Sequence, residues 1–125
     1  MPKEAEYVEG GPEEGKISIS KDVIATIAGV IATEVEGIAP PKGGVLPKGE
    51  AVRKLVETEL TEGRVKIGLK VGVVYGYVVH EVAQQLQEKV KAEVEKMTAL
   101  PVDMVDVEVV RVVFPEGGKP GERRG

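Results

Sequence analysis

The chain has 125 residues, a net charge of −4, no cysteine and a single histidine, His80. That length suits one compact domain, and the composition excludes a disulfide framework, a thiolate metal site and a cysteine nucleophile. Hydrophobic residues make up 42 % of the chain but aromatics only 3 %, and 23 valines supply much of the apolar mass, which favours a sheet.

Charge is distributed unevenly. Residues 1–15 hold Glu4, Glu6, Glu9, Glu13 and Glu14 against Lys3, so the whole excess of −4 lies there and residues 16–125 are neutral. A neutral body argues against broad nucleic-acid binding, which needs excess Lys and Arg facing phosphates. Residues 1–15 and 115–125 are polar and rich in glycine, so they are expected to be a disordered acidic leader and a disordered tail around one domain, 16–114. The apolar stretch from Val23 to Ala32 is about half the ~20 residues of a membrane span, and no basic-then-apolar signal pattern opens the chain. A cytoplasmic protein with no direct membrane span is expected. The absence of asparagine and the wealth of Glu, Lys and Val fit a heat-adapted source.

Ile17 and Ile19 alternate with polar neighbours, which predicts a short strand over 16–20. Ser20 is placed to cap a helix, with Asp22 in its first turn and apolar residues at 23, 24, 27, 28, 31 and 35; Gly37 is a natural stop. Pro40 to Gly49 breaks regular structure and predicts a loop, made basic at its exit by Lys42, Lys48, Arg53 and Lys54. Val65, Ile67, Leu69, Val71, Val73 and Tyr75 then alternate with polar residues or glycine, the pattern of a strand buried on one face. A two-residue turn at Glu62-Gly63 folds the preceding segment back, setting Glu59 opposite Lys66 and Leu60 opposite Val65.

Val79, Val82, Ala83, Leu86, Val90, Val94 and Met97 make the apolar stripe of a long helix that Leu100-Pro101 ends. Glu88–Lys91 and Glu93–Lys96 are spaced to pair on its surface. From Asp103 to Phe114 a last strand alternates through Val105, Val107 and Val109, then changes phase at Val110; a bulge near Val109–Val110, or burial of both faces there, accounts for the change. The order β-α-β-β-α-β predicts an α+β two-layer sandwich: a mainly antiparallel sheet with two helices on one face.

Catalytic patterns fail when tested against their chemistry. Gly44 and Gly49 have phosphate-loop spacing, but Glu50 and Ala51 stand where Lys and Ser or Thr are required. A GxxG clamp joins two helices, whereas this glycine-rich loop precedes a hairpin. His80 opens a helix with no nucleophile placed beside it, and Asp106 with Glu108 reads as a solvated strand face. No catalytic residue, cofactor or metal ligand is assigned. Gly68 and Gly72 are costlier to explain, since glycine within a strand gives up packing. They fall on one face with Lys66 and Lys70, and read either as a bend the sheet requires or as a flat strip another chain approaches.

The pieces in order resemble a known family, the alkaline-shock or general-stress proteins of Gram-positive bacteria, also called envelope stress response proteins. They are Gly15 to Ser20 with Val23-Ile24, Ile27-Ala28 and Glu34 to Ile38; Val65 to Val71 with Tyr75-Gly76; Glu81 to Ala83, Gln87, Val90-Lys91, Val94-Glu95 and Met97 to Leu100; and Val105 to Val109 with Val112 to Phe114. The sequence departs from the family's pattern in its proline-rich loop at Pro40 to Gly49, and at Ala99, where the family commonly has glycine.

The resemblance implies a small cytoplasmic, non-enzymatic protein that self-associates as a homo-oligomer and docks to a separate membrane-anchored protein. It supplies no catalytic residues. The candidate interaction surface is Lys66, Gly68, Lys70 and Gly72, with Lys48, Arg53 and Lys54 from the basic loop. The alternative is a small nucleic-acid-binding module using residues 42–54.

Overall fold

The structure, a computed structural model, describes residues 5–8 and 15–115. The elements in chain order are β1 (Ala5–Val8), β2 (Ile17–Ser20), α1 (Lys21–Glu34), β3 (Ile38–Ala39), a 3-10 helix (Gly49–Leu55), β4 (Val56–Thr61), β5 (Arg64–Val74), α2 (Val79–Thr98) and β6 (Val102–Val113). The expected β-α-β-β-α-β order is present, with β1 added before it and β3 and the 3-10 helix added between α1 and β4.

β5 is the centre of the sheet. The hairpin β4–β5 turns at Glu62 (φ 53°) and Gly63 (φ 75°), a pair of left-handed residues whose twist matches the flanking strands. Its register sets Glu59 opposite Lys66 and Leu60 opposite Val65, as turn chemistry and alternation predict. β3 continues that side of β5, with Ile38 opposite Val73 and Ala39 opposite Gly72. On the other side β6 runs parallel to β5, so β5–α2–β6 is a crossover unit and the sheet is mixed. The register shifts twice, leaving Asp103 and Val110 as extra residues; the second shift is the bulge that the phase change at Val109–Val110 foretells.

The sequence reading is corrected at β2. This strand does not join the main sheet: it pairs antiparallel with β1, Ile17 opposite Val8 and Ser20 opposite Ala5, as a separate two-stranded sheet. The leader is therefore paired at Ala5–Val8, in backbone terms, rather than unstructured throughout. Residues 1–4 and 9–14 of the expected leader, and residues 116–125 of the expected tail, lie outside the described residues.

Both helices cover the face of β5 that carries Val65, Ile67, Leu69, Val71 and Val73, all buried. α1 contributes Ile24, Ala28 and Ala32 to the core, and α2 contributes Val82, Leu86, Val90 and Val94. The small residues of α1 allow close packing: a Cβ on Gly29 would fall 2.5 Å from the carbonyl oxygen of Val52, so only glycine lets the 3-10 helix lie against α1. At the ends of α2 the expected stripe is wrong. Val79 and Met97 are exposed, and Thr98 is buried in their place. Its hydroxyl donates to the Val94 carbonyl at 2.7 Å and accepts from Leu100 N–H at 3.1 Å, so this buried hydroxyl is satisfied.

Ser20 occupies the N-cap position of α1 in extended conformation, but its side chain makes no capping bond. Glu93–Lys96 pairs at 3.6 Å as expected. Lys91 does not take Glu88; it takes Glu95 at 3.1 Å, because Glu95 is already fixed by the N–H of Val102 at 2.9 Å. The helix thereby holds the start of β6: Lys91 also donates to the Val102 carbonyl at 2.8 Å, and Gln87 donates to that of Val105 at 2.9 Å.

Candidate docking face

Because both helices lie on one side, no helix among the described residues covers the other face of the sheet. Its central lane is Arg64, Lys66, Gly68, Lys70 and Gly72 of β5. Register places Glu57 and Glu59 of β4 on one flank, and Met104, Asp106, Glu108 and Arg111 of β6 on the other. Cationic and anionic residues therefore alternate across the three strands, with Met104 (46 % exposed) as an apolar element beside Lys66. Such a surface is polar enough to stay in water and mixed enough to be read by another protein.

The two glycines of the lane differ. At Gly68 an added Cβ would meet only the Glu57 Cβ, at 3.9 Å, so this point is open. At Gly72 it would lie 3.0 Å from the Pro40 carbonyl oxygen and 3.1 Å from the Arg111 Cγ. Gly72 is buried, with the loop after β3 and the Arg111 side chain over it. The flat strip read from the sequence is thus open at Gly68 and closed at Gly72. The cause is the bulge in β6, which brings Arg111 opposite Gly72.

Lys66 and Gly68 border an open groove of about 580 Å³ that also includes Arg53, Thr58 and Asp106. Thr58 Oγ1 is buried there without a hydrogen-bond partner among the described residues. Of the seven expected interaction residues, the groove unites Lys66, Gly68 and Arg53. Lys48 and Lys54 are exposed on and before the 3-10 helix and are not part of its lining, and Arg53 is offset by Glu50 at 3.6 Å. Met104 and Arg111 carry no local signal for this face, since only the parallel β5–β6 register shows that they belong to it; Asp106 and Glu108 are the solvated strand face of the sequence reading, and Glu57 follows from the hairpin register already legible in the sequence.

Two carboxylates anchor the near end of this sheet. Asp103 lies below the usual carboxylate range because Arg64 hydrogen-bonds it and adds a favourable charge, outweighing partial burial. Glu95 is lowered first by the Val102 N–H and then by Lys91. Among the described residues no group of His, Asp or Glu is arranged to hold a metal ion, and no helix is long and apolar enough to cross a membrane. His80 is exposed in the first turn of α2.

A two-layer α+β fold with one uncovered, charge-alternating sheet face defines a small domain whose distinctive surface is a sheet rather than a cleft. Residues 9–114 match the model of the alkaline shock protein 23 family, described as having a cell envelope-related function, and the chain belongs to that family. It is 30 % identical over 106 residues to the uncharacterized protein YqhY of Bacillus subtilis, covering 80 % of this chain and 78 % of that one. It is 32 % identical over 108 residues to the uncharacterized protein Spy1614 of Streptococcus pyogenes, covering 80 % and 89 %. The uncharacterized protein YloU of B. subtilis is 33 % identical over 115 residues, covering 81 % and 92 %. No solved structure matches the chain.

Proposed function

We propose that this protein is a non-enzymatic interaction module of the cell-envelope stress response, which self-associates and docks on the cytoplasmic side to a membrane-anchored protein through its uncovered sheet face. The observation that carries this reading is the contrast between the two faces of β5. One is packed under α1 and α2. The other presents Lys66, Lys70 and their acidic neighbours around the open point at Gly68. Charges arranged in this way set the register and speed of association more than its raw strength.

The test is fractionation of a Gram-positive host expressing the chain with an affinity tag. The protein is expected to sediment with membranes, to be released by mild detergent, and to move to the soluble fraction in the Lys66→Glu/Lys70→Glu variant. Wild-type protein that stays soluble, or a variant that sediments as fully as wild type, would contradict the docking.

A further inference from the structure

β6 lies at the border of the main sheet: among the described residues it pairs with β5 alone, and its other edge takes no strand. The two halves of that edge differ. Val65 N–H donates to the Pro101 carbonyl at 3.0 Å, and Tyr75 N–H to the Val113 carbonyl at 2.8 Å. With the parallel register known, the residues opposite Val65, Ile67, Leu69, Val71 and Val73 turn their backbone groups away from β5. These are Val102, Val105, Val107, Val109 and Val112. Side chains of α2 occupy the first two, through Glu95, Lys91 and Gln87. No described group reaches Val107, Val109 or Val112. The open half is also apolar: Val110, Val112 and Phe114 are 41, 47 and 50 % exposed, and Phe114 lies against Tyr75 with ring centroids 5.2 Å apart. Edges of this kind recruit another strand unless they are blocked, and only the first half of this one is blocked.

The sequence of the open half is complementary to itself. Turned antiparallel about a two-fold axis between Val109 and Val110, Glu108 falls opposite Arg111 and Val107 opposite Val112, twice over. In a regular strand residues 108 and 111 would lie on opposite faces. The bulge at Val110 places both on the uncovered face, where they oppose Lys70 and Gly72 of β5, and places Val107 and Val112 both on the helix face, opposite Leu69 and Val73. Backbone directions agree as well, since Val107 and Val112 both point outward and form the hydrogen-bonded pair. A shift one way sets Glu108 against Val113. A shift the other way sets it against Val109, whose side chain is on the wrong face. Neither Glu108 nor Arg111 makes an ion pair among the described residues of the single chain.

We infer that a second copy of this chain pairs through Val107–Val112 of β6, joining two sheets across a two-fold axis with reciprocal Glu108–Arg111 contacts. This interface rests on the self-association reading above and gives it a location at the free edge of β6, along the border of the docking face.

Sedimentation velocity of the full chain over a concentration series tests it, with circular dichroism to verify folding. Wild type is expected to show a monomer–dimer equilibrium. Glu108→Arg sets like charges together twice and should weaken it by about tenfold or more. The exchanged variant, Glu108→Arg/Arg111→Glu, should recover association to within about threefold of wild type. Val112→Pro removes only an outward N–H, so it should fold and not dimerise. Wild type that is monomeric throughout would overturn both the interface and the self-association reading. Association that persists unchanged in Glu108→Arg and Val112→Pro would overturn this interface alone and leave self-association through another surface.

Discussion

Arg64 grips Asp103 with two nitrogens, Nη2 at 2.6 Å from Oδ1 and Nε at 2.9 Å from Oδ2, and so ties the first residue of β5 to the extra residue that shifts the register of β6. A bidentate guanidinium–carboxylate contact fixes orientation as well as charge. Glu95 does similar work one residue earlier, receiving the Val102 N–H.

Both carboxyls are held below their usual range in the folded chain, Asp103 first by Arg64 and Glu95 first by Val102. Their contribution is therefore complete above the unfolded carboxylate values, about pH 4, and is lost as pH falls through the lower folded values. Urea midpoints measured from pH 7 to pH 2 should drop on the acid side. Asp103→Asn and Glu95→Gln should each lower the midpoint at pH 7 and flatten that acid slope. An acid slope unchanged in both variants would contradict the assignment.

Ala99 closes α2 in the left-handed conformation, at φ 63° and ψ 16°, with its N–H bonded to the Glu95 carbonyl at 2.9 Å. A side-chain Cβ crowds its own backbone there, and glycine does not. Ala99→Gly should raise stability by about 1 kcal/mol, read as an upward shift in thermal midpoint. A fall in midpoint would show that glycine's extra freedom in the unfolded chain outweighs the relieved strain.

Gly68 and Gly72 should respond differently to the same change. Gly68→Arg projects into open space, so its thermal midpoint should stay close to wild type, within about 0.5 kcal/mol. Gly72→Arg must displace the Arg111 side chain and the loop at Pro40, and should cost about 1–3 kcal/mol. Equal losses at the two positions would contradict the division of this face into an open and a covered part.

What the sequence discloses is what one strand or one turn decides. Glu62-Gly63 permits a tight turn, and alternation on both arms leaves a single register, so the pairing of Glu59 with Lys66 is readable before any coordinates. The phase change at Val110 is likewise a local signal, and the bulge is there. Relations between distant elements are not local. Nothing in the alternation of β6 says that it runs parallel to β5, and without that register Arg111 cannot be seen to lie over Gly72. Helical periodicity marks Val79 and Met97 as core candidates, but both are exposed while Val82 near one end of α2 and Thr98 at the other are buried, so tertiary packing and not periodicity sets the ends of the stripe. The pairing of β2 with Ala5–Val8 was hidden by the polar composition around those four residues, which masks a short strand.

The most direct test of the docking face is photo-crosslinking in the cell, with a photoreactive residue at position 68 and, as a control, at the exposed position 88 on α2. Irradiation is expected to yield a discrete protein adduct from position 68 that includes a membrane-anchored protein, and little from position 88. No adduct at 68, or the same adducts from both positions, would contradict the claim that the uncovered sheet face is where this protein meets its partner.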